Sequence, residues 1–284
     1  MLVSLRVYFD GAGKEADHPV ITVGGFLADS SVCEEIERDW ELATGGRVFH
    51  LADFGNKHCK LGSRDWDKEK RIDFLKRLAA IVNRPGCYIM SVSIEVAAYN
   101  RVLEEAKYPN EIGPAFSGCA YAGILNTELI LLNEQRLEQK VHYAFEKGDR
   151  EHEISLTFSD FDEANSKLSG LRSHGFLPKQ TTLLQPADLI AGVVQRCIIK
   201  ANAAFPCQDN GIARTQLNTF ERHYSPDGVT AAVVSGHDRT HCWVANPQSF
   251  KFLDGVAKRF FERKPDEVKK RMKRATFKPK KVKS

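Results

Sequence analysis

The chain has 284 residues, 42% apolar and 27% charged, with a formal net charge of +4 at pH 7. Such a chain can bury a sound core without staples, as one large domain or one domain with additions. No run approaches the ~20 apolar residues that span a bilayer, the short apolar start lacks a signal-peptide layout, and seven unevenly spaced cysteines do not make a disulfide framework. A cytoplasmic protein is the expectation, with no membrane partner.

The modest net charge hides an asymmetry. From Lys258 to Ser284 there are 13 Lys or Arg against three acids, a balance of +10 that leaves −6 on the remainder. A mildly acidic body with a basic tail suits a polyanionic partner, although a basic tail can equally be a solvated end. We expect a domain over 1–262 and a flexible basic tail over 263–284.

In chain order, residues 2–10 read as a strand, and Val20–Leu27 as its antiparallel neighbour across a turn carrying Gly, Asp and His18-Pro19. Ser31 to Glu34 has capping-box spacing and opens a helix to about Ala43, which Gly45-Gly46 stops. Arg47–Leu51 is expected as a short third strand. Ile72, Leu75, Leu78, Ala79 and Val82 recur at helical spacing and predict a helix from Asp65 to about Val82. Tyr88–Ile94 reads as a strand, 97–107 and 114–136 as helices, and Val141–Glu146 as another strand. A polar helix-and-loop region to Lys179 precedes a helix running from the Asp188 segment to about Ala203. Weak signals follow over 204–245, with Cys242-Trp243-Val244 as a strand fragment, then a helix near 248–262. This order fits an α/β fold with a mixed sheet flanked by helices.

Three acids stand out. Asp10 closes Leu5-Arg6-Val7-Tyr8-Phe9-Asp10 and Glu146 closes Val141-His142-Tyr143-Ala144-Phe145-Glu146. Asp188 falls in what reads as the first turn of a helix with Pro186 near its start. A carboxylate ending a buried strand is costly unless it meets a cation or a donor. Three from distant segments suggest a divalent-metal site, and Mg²⁺ or Mn²⁺ would need only a few Asp and Glu oxygens. Phosphodiester hydrolysis uses such a site to activate water and offset transition-state charge. Each acid also has a plain reading: Asp10-Gly11 as a strand-ending turn, Glu146-Lys147-Gly148 as a charged turn, Asp188 as a complement to a helix dipole. His50 and Asp53, three apart, are candidates for a general base or a phosphate contact. His237, His241, Cys242 and Cys207 lack the paired spacing of a zinc site.

The segments Asp10-Gly11-Ala12-Gly13, His50-Leu51-Ala52-Asp53-Phe54, Phe145-Glu146-Lys147-Gly148 and Leu184-Gln185-Pro186-Ala187-Asp188-Leu189-Ile190-Ala191-Gly192 together resemble the mostly bacterial domain-of-unknown-function family 3800. The last segment is the most specific, and the resemblance spans roughly residues 3–205. It implies a ribonuclease H-like fold with Asp10, Glu146 and Asp188 as metal ligands. It also implies a metal-dependent nuclease with His50 and Asp53 nearby, and a nucleic acid held through sequence-independent phosphate contacts. Gly11 departs from the acidic residue that often follows the first Asp in that family. A non-catalytic nucleic-acid- or partner-binding protein on the same fold is the alternative, and a phosphoesterase for small phosphates is a third.

Overall fold

A computed structural model describes residues 4–54, 61, 63–105, 113–148, 150–165, 168–202 and 240–245. The expected helix near 248–262 and the basic tail over 263–284 lie outside the described residues, as do Cys207 and His237.

The structure is an open six-stranded mixed sheet with helices on both faces. The strands are β1 (Leu5–Ala12), β2 (Val20–Asp29), β3 (Cys87–Glu95), β4 (Val141–Glu146), β5 (Arg172–Leu177) and β6 (Thr240–Ala245). Their order across the sheet is β5-β4-β1-β2-β3-β6. β1, β2 and β3 form an antiparallel meander, whereas β4 and β5 extend the β1 edge in parallel, and β6 runs parallel to β3. The helices are α1 (Ser30–Thr44), α2 (Lys68–Val82), α3 (Val96–Glu105), α4 (Ala115–Asn133), α5 (Glu151–Ala164) and α6 (Leu184–Asn202).

Side-chain alternation along the strands sorts the core into two layers. Leu5, Val7 and Phe9 of β1 and Val141, Tyr143 and Phe145 of β4 pack on the α4 and α5 side. Tyr8 and Ala144 face the other side, with α1, α2 and α6. The same period of two sends Asp10 and Glu146 toward α6. α4 is apolar all round and buries Phe116, Cys119, Ala120, Ile124 and Ile130. It is long and apolar enough to cross a membrane by length and composition, but 72% of its most apolar window is buried inside the fold. The expectation that no stretch comes near spanning length was therefore too strict.

Four local expectations need correction. Arg47–His50 form no strand, because Phe49 and Leu51 reach the core from an irregular segment whose amides bond to side chains of α6. The Ser31/Glu34 capping box is not formed: α1 starts at Ser30 behind Asp29, with no side-chain cap, and Ser30 bonds instead through its amide and hydroxyl to the Ser4 carbonyl. The region before Lys179 contains β5, hidden in sequence by Ser173, His174 and Gly175. Asp188 is the fifth residue of α6, just past the first turn, so the dipole explanation loses its basis.

α6 lies on the sheet at a glycine. A Cβ on Gly24 would stand 2.7 Å from the Cα and backbone nitrogen of Ala191. Gly24 is also the register partner of Asp10, and Ala191 is one helical turn beyond Asp188. The bare backbone at Gly24 therefore sets how close Asp188 comes to Asp10. Gly24→Val should cost about 1–3 kcal/mol by overpacking and lift α6. Urea denaturation would register the first effect and a weakened response to Mn²⁺ in the same variant the second.

Candidate metal and phosphate site

A cavity of about 630 Å³ opens at the carboxyl ends of β1 and β4, the end at which open α/β sheets receive ligands. Asp10, Glu146 and Asp188 all line it, with His50. Asp10 and Glu146 follow the last register pair of the parallel ladder, Phe9 and Phe145, so they emerge side by side. β1 continues past Asp10 to Ala12, which replaces the expected turn at Asp10-Gly11 with two more paired residues. Gly13 then turns the chain away at φ +91°, a conformation that costs a side-chain-bearing residue.

Asp188 is held tightly. Its Oδ1 lies 3.0 Å from His50 Nδ1, and its Oδ2 accepts the Leu51 amide at 2.6 Å. Three residues earlier, Gln185 Oε1 accepts both the Trp40 indole N–H at 3.0 Å and the Phe49 amide at 2.8 Å. Arg196, farther along the helix, donates to the Leu51 carbonyl at 3.1 Å. One helix thus straps down the whole segment that carries His50. Asp53 closes the turn with its amide on the His50 carbonyl, 3.1 Å. It does not line the cavity, and reaches His50 through its charge.

His50 sits between opposite influences. Its hydrogen bond to Asp188 raises its pKa, against burial and the neighbouring Lys179 charge. Lys179 Nζ stands 3.2 Å from His50 Nε2. Since an ammonium only donates, that contact needs a neutral ring with its proton on Nδ1, directed at Asp188.

The Asp10 carboxyl is strongly perturbed. Burial first, then the Asp188 and Glu146 charges, push its pKa to about 7, against the Gly11 amide and Lys179. The Gly11 amide donates to its Oδ1 at 2.7 Å. The Glu146 carboxylate accepts no hydrogen bond from the described residues. Free lone pairs on mutually repelling carboxylates form a donor set that suits a hard cation such as Mg²⁺ or Mn²⁺. Among the described residues, however, no three His, Cys, Asp or Glu side chains stand close enough to form a ready-made shell. The fit is one of chemistry and shared cavity.

The sequence brought forward the acids and His50 but missed the cations around them. Lys14, Lys147, Arg150, Lys179 and Arg196 all line the cavity. Lys147 directly follows Glu146 and Arg150 lies four residues after it, a usable signal, whereas Lys14, Lys179 and Arg196 have no local pattern that marks them. Compared with the known protein families and with characterised proteins, the chain matches none, so the resemblance rests on its motifs alone.

Proposed function

We propose that this chain is a cytoplasmic, bacterial, divalent-metal-dependent nuclease with a ribonuclease H-like fold. The observation that carries the reading is that Asp10, Glu146 and Asp188, from three remote segments, line one cavity together with His50. The antiparallel β1–β2 hairpin, the acid-terminated strand β4 beside β1 and the Asp188 helix packed on the sheet support the reading. On this reading Asp10, Glu146 and Asp188 hold Mg²⁺ or Mn²⁺. A bound ion would supply Lewis-acid charge and would lower the pKa of a coordinated water.

The protein's own residues do the rest. The Leu51 amide and His50 fix the direction of Asp188, as groups behind metal ligands do. His50 holds a proton on Nδ1 against that carboxylate, and its Nε2 edge with Lys179 faces the cavity where a phosphate would lie. Asp53 favours the imidazolium from behind. The surrounding cations, with the basic tail, attract a nucleic-acid backbone without reading bases.

Calorimetric titration with Mn²⁺ tests the reading. Wild-type protein should bind the ion and the Asp10→Asn/Asp188→Asn variant should not. Cleavage of RNA, DNA or a hybrid should fall on the order of a hundredfold or more in the variant, the scale of losing a charge-stabilising group. If the wild-type chain neither binds Mn²⁺ nor cleaves, the nuclease reading fails. Salt-sensitive nucleic-acid binding that persists without metal and after Asp188→Ala would then identify a non-catalytic binding protein.

A further inference from the structure

The cations of the cavity occupy two opposite banks. On the α6 side stands Lys179, against His50 Nε2. On the other side of the strand ends stands Arg150, just before α5. Its guanidinium lies over the Phe116 ring with 3.8 Å between Cζ and the ring centroid. One N–H of its Nη2 donates to the Gly13 carbonyl at 3.1 Å. Phe116 is itself fixed, being buried on α4 with its amide bonded to Glu15 Oε1 at 3.0 Å.

Gly11 makes this placement possible. The alternation that turns Asp10 toward α6 turns Gly11 toward α4. A Cβ there would lie 2.6 Å from Phe116 Cε2 and 3.4 Å from Arg150 Nη1. The space where a side chain after Asp10 would project is filled by an aromatic ring and a cation. The departure at Gly11 therefore leaves no gap beside Asp10, and it places positive charge at this edge of the site.

Arg150 forms no ion pair within the described residues, and one carbonyl is its sole hydrogen-bond acceptor there. A guanidinium has five N–H donors in a fixed fork suited to phosphate. Stacking and the Gly13 bond remove much of its rotamer freedom in advance, so less is lost when an anion arrives. Lys179 likewise has a neutral imidazole as its partner. Neither cation forms a direct ion pair with the three carboxylates among the described residues, although the Lys179 charge lowers the Asp10 pKa and the Arg150 charge that of Glu153. The Asp10, Glu146 and Asp188 side chains lie on the α6 side, whereas Arg150 is on the α4 and α5 side.

We propose that Arg150 and Lys179 bind different phosphates of one nucleotide chain laid across the ends of β1 and β4, so that the substrate is a polynucleotide rather than a mononucleotide. The inference rests on the nuclease reading for the identity of the site, but it concerns binding and can be tested apart from cleavage.

The probe is a fluorescein-labelled 20-nucleotide single-stranded DNA, followed by anisotropy at several salt concentrations in EDTA. Each phosphate contact contributes about 0.7 to the slope of log affinity against log salt for single strands. Arg150→Gln and Lys179→Gln should each lower the slope by about 0.7, and the double variant by about 1.4. Arg150→Lys should keep the slope and still weaken binding, because the stacked fork is lost. Phe116→Leu should do the same through misplacement of the guanidinium. Melting curves confirm that each variant is folded. Unchanged slopes in both single variants would overturn the proposal. So would a double variant no worse than either single one, since the two cations would then share one phosphate. If the slopes fall as expected while wild-type protein fails to bind Mn²⁺ or to cleave, the nuclease reading fails and the phosphate cradle stands.

Discussion

Asp10→Asn is expected to make the metal-free protein more stable above pH 7 while removing its response to Mn²⁺. Burial and two neighbouring carboxylates hold the Asp10 carboxyl at about 7, against 3.8 for an ordinary aspartate. A group whose folded pKa is raised keeps its full stabilising effect below the unfolded value and loses it as pH rises through the folded one. Wild-type stability should therefore fall between about pH 4 and pH 7 on account of this residue, and stay low above. The upper bound of the loss is roughly 4 kcal/mol from the shift alone. Asp10 is only partly buried and lines an open cavity, so solvent screening reduces the figure to about 1–3 kcal/mol.

An amide at the same place carries no charge to repel Glu146 or Asp188 and can donate to either. The gain in Tm should be roughly 2–5 °C at pH 8 for a chain of this size, and should vanish near pH 4. Saturating Mn²⁺ should raise the Tm of wild-type protein and not that of the variant. A variant less stable than wild type at pH 8, in chelator, would show that Asp10 is ionised without strain and that the three acids do not repel across the cavity. Stability and function would then not be opposed at this position, as they commonly are at active sites.

The second large effect lies at the opposite end of the sheet. Arg172 starts β5, its side chain fully buried, and its Nε and Nη2 donate to the two oxygens of Glu128 on α4, both at 2.6 Å. Its remaining donors reach the carbonyls of Gln139 at 2.8 Å and Leu137 at 3.1 Å. The Tyr143 hydroxyl donates to Glu128 Oε1 at 2.7 Å. Arg172→Met removes one partner and leaves a carboxylate without its cation, a change that costs about 3–5 kcal/mol. Replacing both partners, as Arg172→Met/Glu128→Leu, should recover most of that loss. Chemical denaturation of wild type, Arg172→Met, Glu128→Leu and the double variant forms the cycle, and equal stability of Arg172→Met and the double variant would refute it. Because Arg172 pairs in register with Val141, at the far end of β4 from Glu146, Mn²⁺ binding by the folded variants should be unchanged.

What sequence could reveal here follows from how far each signal reaches along the chain. β1, β2, β3 and β4 were legible because their apolar alternation is local and strong, and two of the three acids stand at or near the ends of those runs. α6 was legible from Leu184 to Gly192 for the same reason. β5 was not, because an edge strand needs little apolar content: Ser173 and His174 sit where a central strand would bury aliphatics. The segment before His50 was misread as a strand because Phe49 and Leu51 alternate like one. The partners of their amides are side chains of Gln185 and Asp188, more than 130 residues away, and no local pattern announces such bonds. Arg150 lies just beyond the Glu146-Lys147-Gly148 turn and belongs to no motif. Its role depends on Phe116 and Gly11, residues that only the folded sheet brings beside it.

The amide of Leu51 offers a built-in reporter. It donates to the carboxylate oxygen of Asp188 at 2.6 Å, so its proton resonance is set by the charge on that oxygen. A cation that draws electron density from Asp188 should move this one backbone signal upfield, whereas the Phe49 amide, bonded to the neutral Gln185 side chain, should remain where it was. Two amides two residues apart thus provide a signal and its internal reference for occupancy of the cavity, readable without a substrate, a label or turnover.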